Sequence, residues 1–437
     1  MTTNNTEEKY LIIGTGPCGI SALRSFTKHG IPVDCAELNA SVGGQWDIKN
    51  PNSSMYESAH IISSRTVQEY KEFPFPEGTA DYPHHSVVGK YLNDFVDKFN
   101  LRSHIQFNTK VIDTKRLGEN SWEVKLEANG EVKTKIYKGI VVANGVFSLP
   151  NIPKFKGEET FTGEIIHSAN YKEASIFTGK RVLIVGAGNS GCDIAVDAVH
   201  RSKYIDMSVR RGYYFVPKYL FGKPADIVGG KINLPRKIDL KIKKRILKMF
   251  TGDPVKYGFP KPEYELFESH PVVNSLIIHH LGHGDLDIMK DIDHINGSTV
   301  HFKDGESRDY DLILLATGFK LNYTFIDKEN LNWTNNAPKL FMNIFHPEYD
   351  DLFILGMVEA TGVGFQGRYN QAEIIARYIK NLDKNPSKIQ RFIDEKRSNT
   401  TSLTNGRNYL KLARMAYYVD KDTYLKKLHG SLEELAL

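Results

Sequence analysis

Two short glycine clusters carry the clearest chemistry in the sequence. Gly14-Thr15-Gly16-Pro17-Cys18-Gly19 and Gly186-Ala187-Gly188-Asn189-Ser190-Gly191 both read GxGxxG. In such a turn the first glycine permits a tight bend and the second lets backbone N–H groups approach a pyrophosphate. The third lets a helix pack closely on a strand, and the N-terminus of that helix favours phosphate charge. The residues that follow about 20 positions later separate the ligands. After the first cluster comes Glu37, a carboxylate placed to accept hydrogen bonds from ribose hydroxyls and to repel a 2′-phosphate. After the second come Arg210 and Arg211, whose guanidinium groups match a 2′-phosphate. The residues therefore predict one site for an unphosphorylated dinucleotide and one for NADP(H).

Other reactive groups are weaker. Gly43-Gly44-Gln45-Trp46 follows Glu37 where the chain should pass back over a bound dinucleotide. Gln45 would meet the hydrogen-bonding edge of a flavin and Trp46 its flat face, although the motif alone leaves Trp46 open as an ordinary core residue. His279, His280, His283 and Asp285 could be drawn as a metal cluster. Gly282 and Gly284 instead predict a loop there, and no metal is expected. Cys18, Cys35 and Cys192 lie far apart with no CxxC pair, which fits a reducing cytosol.

The elements that must hold these groups are legible around them. Tyr10–Ile13, a helix to about Lys28 and a strand Val33–Glu37 form a βαβ unit. Arg181–Val185, a helix to about Arg201 and a strand Tyr204–Val209 repeat it. Ile105–Val111, Trp122–Leu126 and Lys133–Val142 read as strands completing the first sheet, and Asp311–Leu315 with Ala316-Thr317-Gly318 closes the second. Phe353–Met357 and a helix Asn370–Leu382 are expected to return to the first domain. The fold class is α/β, with two Rossmann-like dinucleotide-binding domains, the second inserted into a discontinuous first. The expected boundaries are 1–165, 166–318 with an insertion at about 215–275, and 319–437 with a helical tail.

Inside the insertion, Ile238, Ile242, Ile246 and Met249 fall at helical spacing over 237–250 among Lys241, Lys243, Lys244, Arg245 and Lys248. A surface helix with a solvated basic face is expected, against a rival membrane-surface or partner helix. The 437 residues are 41% hydrophobic and 25% charged, which excludes a mainly disordered or membrane-spanning chain. A net charge of +5 is too small to imply nucleic acid unless it is concentrated on one face. The opening residues lack a signal peptide's basic and apolar regions, so a soluble cytoplasmic protein with no membrane anchor is expected.

The chain resembles the flavin-containing monooxygenases, FAD enzymes with an inserted NADPH domain. The resemblance rests on both glycine turns, Glu37, Gly43 to Trp46, Ala316-Thr317-Gly318 and the stretch from Phe161 through Gly163 and His167 to Tyr171. That last stretch matches FxGxxxHxxxY. Its final Tyr tilts away from Baeyer–Villiger enzymes, which usually carry Trp. A position where the chain passes between domains favours an orienting role for His167 over acid–base work.

The resemblance implies FAD at Gly14, Gly16, Pro17, Cys18, Gly19, Glu37, Gly44, Gln45, Trp46, Val111 and Gln371. It implies NADP at Tyr56, Gly186, Gly188, Asn189, Ser190, Gly191, Arg210, Arg211 and Thr317. Val111 ends the strand whose backbone would approach the adenine, with an ordinary core valine as the alternative. The implied reaction passes a hydride from NADPH to flavin, forms a C4a-hydroperoxide with O2 and delivers one oxygen to an amine, a sulfide or a ketone. The family's hydrogen-bonding Asn is replaced by Ile62, which cannot donate, and Ser63, Ser64 and His60 are the candidate replacements. The rivals are an NADPH oxidase or reductase releasing hydrogen peroxide, and a redox-responsive module that only binds FAD and NADP(H). O2 and a small molecule are the expected partners, and a homodimer is left open.

Overall fold

The computed structural model describes residues 7–228 and 235–437; the opening residues 1–6, on which the signal-peptide expectation fell, lie outside that description. The chain divides into two compact units. One comprises Met1–Ser53, Arg65–Leu149 and Lys320–Leu437, and the other Ser54–Ser64 and Pro150–Phe319. The sequence expectation placed the first crossing at 165/166. The crossing falls earlier because the strand Glu164–His167 belongs to the second sheet, where it pairs in parallel with Leu312–Leu315.

In the first unit, β1 (Glu7–Ile13) pairs in parallel with β2 (Val33–Ala36), and α1 (Pro17–Lys28) connects them. Pro17 opens α1, where its missing N–H costs nothing. Ile20, Leu23 and Phe26 bury the inner face of α1. The sheet runs β3 (Ile105–Gln106), β2, β1, then β6 (Glu131–Val142), β5 (Ser121–Ala128) and β4 (Thr109–Gly118). The strand Leu352–Ile354 joins β6 in parallel, so the C-terminal part returns to this sheet as expected. The helix Gly364–Lys384 packs against α1.

The parallel strands are buried on both faces, whereas β4 and β5 alternate buried and half-exposed residues around Trp122, Val124 and Leu126. The single strand expected over Ile105–Val111 is broken. Asn108 turns with φ 50, a conformation Asn tolerates, and splits it into β3 and β4. Val111 therefore does not end a strand. It sits inside β4 opposite Leu126, in the core.

In the second unit five parallel strands run in the order Asp287–Met289, Tyr204–Ser208, Arg181–Val185, Leu312–Leu315, Glu164–His167. The helix Asn189–Val199 follows the second glycine turn and buries Cys192, Ile194, Ala195 and Ala198. Between Ser208 and Asp287 the described residues include the hairpin Tyr219–Leu220/Lys223–Pro224 and the helix Arg236–Thr251.

One expectation fails here. The loop expected at the histidine cluster is a helix, Leu276–His283, because Ile277 and Leu281 have a core to enter and Gly284, at φ 75, terminates the helix instead of preventing it. The apolar stripe of the insertion helix is turned outward: Leu240 and Thr251 are buried, while Ile238, Ile242 and Met249 are exposed. Among the described residues no helix is long and apolar enough to cross a membrane.

Candidate functional site

The first glycine turn is tight because the chain requires it. A Cβ on Gly14, which has φ +99, would meet the Ala143 carbonyl oxygen at 3.0 Å, and one on Gly19 would lie 1.8 Å from the Gly14 carbonyl oxygen. Gly16 differs. It has ordinary extended backbone, and its Cβ would meet nothing nearer than Gly44 Cα at 3.9 Å. Gly43-Gly44 packs on this turn: Gly43 N–H donates to the Thr15 carbonyl at 3.1 Å, and a Cβ on Gly44 would lie 3.0 Å from Gly16 Cα. Among the described residues no side chain caps the N-terminus of α1, and its first turn holds no acid.

Glu37 follows β2 and is 4% exposed. Its Oε2 accepts from Thr15 N–H and Thr15 Oγ1, both at 2.7 Å, and its Oε1 accepts from Asn39 N–H at 2.9 Å and Asn39 Nδ2 at 2.8 Å. The carboxylate is strapped to the glycine turn, with Asn39 a partner that sequence reasoning missed. Cys18 lies half-buried with Sγ against Gly356, where an added Cβ would come within 2.3 Å. Burial raises its pKa, and Arg368 opposes that rise.

Gln45 donates to the Asn52 carbonyl at 3.1 Å, and Trp46 meets Phe365 edge-on at 6.4 Å. Gln371 is fully buried: its Oε1 accepts from Gly356 N–H at 3.1 Å and its amide N–H donates to Tyr424 Oη. It holds the turn after Leu352–Ile354.

The second glycine turn repeats the geometry. A Cβ on Gly186, φ +103, would meet the Ala316 carbonyl oxygen at 2.7 Å, and one on Gly191 would lie 2.2 Å from the Gly186 carbonyl oxygen. Around Gly188 there is nothing within 4 Å, and among the described residues the helix it opens has no side-chain cap and no acid in its first turn. Asn189 accepts from Val273 N–H at 2.7 Å and donates to the Pro271 carbonyl at 3.2 Å, while Ser190 is exposed. Thr317 Oγ1 donates to the Asn151 carbonyl at 2.5 Å. Arg210 is exposed, and Arg211 is half-buried with its guanidinium 5.2 Å from the centre of the Tyr213 ring. Arg211 Nε is buried and meets no acceptor among the described residues.

The segment 54–64 is held by carboxylates on the second glycine helix. Tyr56 Oη donates to Asp193 Oδ2 at 3.2 Å, and Ser58 Oγ and Tyr171 Oη donate to Asp197 Oδ2 at 2.5 and 2.8 Å. Asn274 Nδ2 supports Asp193 Oδ1 at 2.5 Å. Burial raises the pKa of Asp193 and keeps Tyr56 and Tyr171 as phenols. Asp193 and Asp197 were missed; their spacing of four on one helix face was the available signal. Ile62 and Ser63 are half-buried, Ser64 is buried with its N–H on Asp226 Oδ2 at 2.6 Å, and exposed His60 turns Nδ1 toward the Ser58 carbonyl at 2.9 Å.

The stretch from Phe161 to Tyr171 works within the second unit as a staple. Phe161 packs on the core around Leu183 and Tyr310. Gly163 has no room for a Cβ, which would lie 2.3 Å from the Asp311 carbonyl oxygen. His167 Nδ1 accepts from Ala169 N–H at 3.1 Å, so Nε2 carries the proton and meets the Gly318 carbonyl at 3.1 Å. Burial lowers its pKa, which favours the neutral ring.

Residues 7–430 match the family profile described as flavin-binding monooxygenase-like. Flavin-containing monooxygenase 3 of Oryctolagus cuniculus is 30% identical over 395 residues, covering 85% of this chain and 74% of the relative. Flavin-containing monooxygenase 2 of Homo sapiens is 28% identical over 409 residues, covering 89% and 76%. The crystal structure of Tmm from Pelagibacter sp. strain HTCC7211 superposes with a TM-score of 0.71 at 24% identity, covering 97% of this chain and 86% of that one. An open structure of cyclohexanone monooxygenase gives 0.71 at 18% identity, covering 98% and 99%. At these identities the two structures establish the shared fold. The sequence relatives and the family profile go further: the chain belongs to the flavin-binding monooxygenase-like family and is an oxidoreductase, a flavin-dependent monooxygenase.

Proposed function

We propose that the chain binds FAD on its first unit and NADPH on its second. With them it transfers one atom of O2 to a soft nucleophile, an amine or a sulfide, or to a ketone, the other oxygen leaving as water. The observation that carries this reading is the contrast within each glycine turn. Gly14, Gly19, Gly186 and Gly191 are explained by the protein's own packing, but Gly16 and Gly188 have ordinary backbone, with only an ordinary 3.9 Å contact to Gly44 Cα at the first and nothing within 4 Å at the second. A missing side chain there serves a group from outside the chain, and a phosphate at an uncapped helix N-terminus is that group.

Glu37 then holds a ribose. Of its four donors, the Thr15 hydroxyl and the Asn39 amide sit on side chains that can yield to ribose hydroxyls, while the two backbone N–H groups stay. Arg210 and Arg211 hold the 2′-phosphate of the second dinucleotide, which gives the buried Arg211 N–H its acceptor. When bound, the two cofactors supply hydride transfer and the activation of O2. The chain binds and orients; His167, neutral and doubly hydrogen-bonded, moves no proton.

A second reading, an oxidase releasing peroxide, is favoured by Ile62, which cannot donate a hydrogen bond. The deciding experiment measures NADPH consumed, peroxide released and oxygenated product with an amine, a sulfide and a ketone offered in turn. Product in proportion to NADPH supports oxygen transfer. Peroxide equal to NADPH with every compound sinks it, and Ile62→Asn, which restores a donor, should then lower the peroxide yield by about tenfold.

A further inference from the structure

His279 and His283 stand one turn apart on the helix Leu276–His283. Burial of Ile277 and Leu281 fixes the rotation of that helix and turns both imidazoles outward, exposed, with ring centres 4.0 Å apart and planes tilted by 55°. The glycines do not separate them. Gly282 lies within the helix, and Gly284 lies beyond its last turn at φ 75.

The groups around the pair favour a cation. The turn at Gly284 brings Asp285 back to the helix end, where its N–H donates to the His280 carbonyl at 3.0 Å. Its Oδ2 lies 2.8 Å from His280 Nδ1 and 3.8 Å from His283 Nδ1. A carboxylate beside Nδ1 leaves Nε2 of His283 as the nitrogen free to ligate, the second partner that orients a metal-bound imidazole. The same end of the helix carries the negative pole of its dipole. Among the described residues the His279 ring makes no hydrogen bond and meets only the rings of His280 and His283.

We propose that His279 and His283 chelate one divalent ion of the zinc class, with Asp285 orienting His283 and water completing the shell. Histidines at i and i+4 on one helix face can reach a single ion. Nitrogen donors select Zn2+, Ni2+ or Cu2+ over Mg2+ and Ca2+, which take oxygen. The tilt of the rings matters because ring lone pairs lie in the ring plane, and tilted planes let them converge. The pair His294 and His301 lacks this: its rings stack 4.2 Å apart at 7°, with parallel lone pairs. His280 is 8% exposed, has Nδ1 committed to Asp285 and stays outside the shell. Among the described residues no group of three or more His, Cys, Asp and Glu could hold a metal, so the protein supplies two ligands. That makes an open, exchangeable site rather than a four-ligand structural centre.

The test dialyses the full-length protein, with its flavin bound, against a chelator and then titrates it with Zn2+ or Mg2+ at neutral pH. One saturable equivalent of Zn2+ is expected and none of Mg2+, with binding weakened in acid as protons compete for the ring nitrogens. Asp285→Asn should lower Zn2+ affinity about tenfold, and His279→Ala or His283→Ala should lower it further. Both histidines are exposed, so their variants should keep the wild-type thermal midpoint and rate of NADPH oxidation in chelator. His429→Ala removes an exposed histidine of the first unit and should leave Zn2+ affinity unchanged. Absence of saturable Zn2+ binding overturns the proposal. So does binding that survives in both His279→Ala and His283→Ala, or that His301→Ala abolishes instead.

Discussion

Glu37 accepts two hydrogen bonds from Thr15, one from its backbone N–H and one from its hydroxyl, both at 2.7 Å. Thr15 is the residue between the first two glycines, so the carboxylate after β2 and the turn after β1 are one rigid object. With Asn39 on the other oxygen, the buried carboxylate is satisfied without any cation. Its charge is held by four donors rather than neutralised, which suits it to recognising hydroxyl donors and rejecting a phosphate.

Glu37→Gln keeps the shape and halves the acceptor capacity, turning an NH2 group toward two donors that need an oxygen. The expected cost is about 1 to 3 kcal/mol, read as a lower thermal midpoint of flavin-free protein together with a reduced flavin-to-protein ratio. An unchanged midpoint would show that the strap does not hold the turn.

The glycines separate binding from folding. Gly188→Ala places its Cβ in open space on extended backbone, so stability should change by less than about 0.5 kcal/mol while the KM for NADPH rises about tenfold or more. Gly191→Ala drives a Cβ to 2.2 Å from the Gly186 carbonyl oxygen and should lower stability before any effect on NADPH can be read. Chemical unfolding and steady-state kinetics on the two variants check both halves. A Gly188→Ala enzyme with unchanged KM would remove the phosphate from this turn.

The paired glycine turns, the parallel strands beside them and the return of Leu352–Ile354 to the first sheet were legible because each depends on local pattern: apolar runs, glycine spacing and helix starts. Features set by tertiary partners were not. Nothing local says that Tyr56 will find Asp193, or that residues 54–64 will fold with the second unit. Gln371 was readable as helical, but its complete burial between Gly356 and Tyr424 depends on segments far away in sequence. Asn108 and Gly284 misled for a shared reason: a left-handed residue can break a strand or end a helix without announcing which.

His346 makes stability depend on pH. Its Nδ1 accepts from the N–H groups of Glu348 and Tyr349 at 3.1 and 3.0 Å, so this nitrogen must stay unprotonated. Burial, with Lys396 and Arg116 outweighing Asp351, pushes its pKa from 6.5 down to about 4. The unfolded chain therefore takes up the proton first, and stability present above pH 6.5 is lost as pH falls from 6.5 toward 4. The loss between pH 7 and pH 5 is about 2 kcal/mol from this group. His346→Asn, whose side-chain oxygen can accept from the same two N–H groups, should flatten that dependence. Urea unfolding of both proteins at the two pH values checks it, and equal losses would assign the effect elsewhere.

Arg210 and Arg211 test which nucleotide the second unit takes. Among the described residues Arg211 keeps Nε buried without an acceptor, with its guanidinium beside the ring of Tyr213. Replacing both arginines by Glu sets two negative charges against a 2′-phosphate and leaves an unphosphorylated ribose less disturbed. The KM for NADPH should rise at least about tenfold more than that for NADH, the loss of one or two charge-assisted hydrogen bonds. Arg211→Lys keeps the charge and removes the planar fork, so it should fall between wild type and the double variant. Steady-state kinetics with the two nucleotides decide the matter, and equal effects on both would place the 2′-phosphate elsewhere.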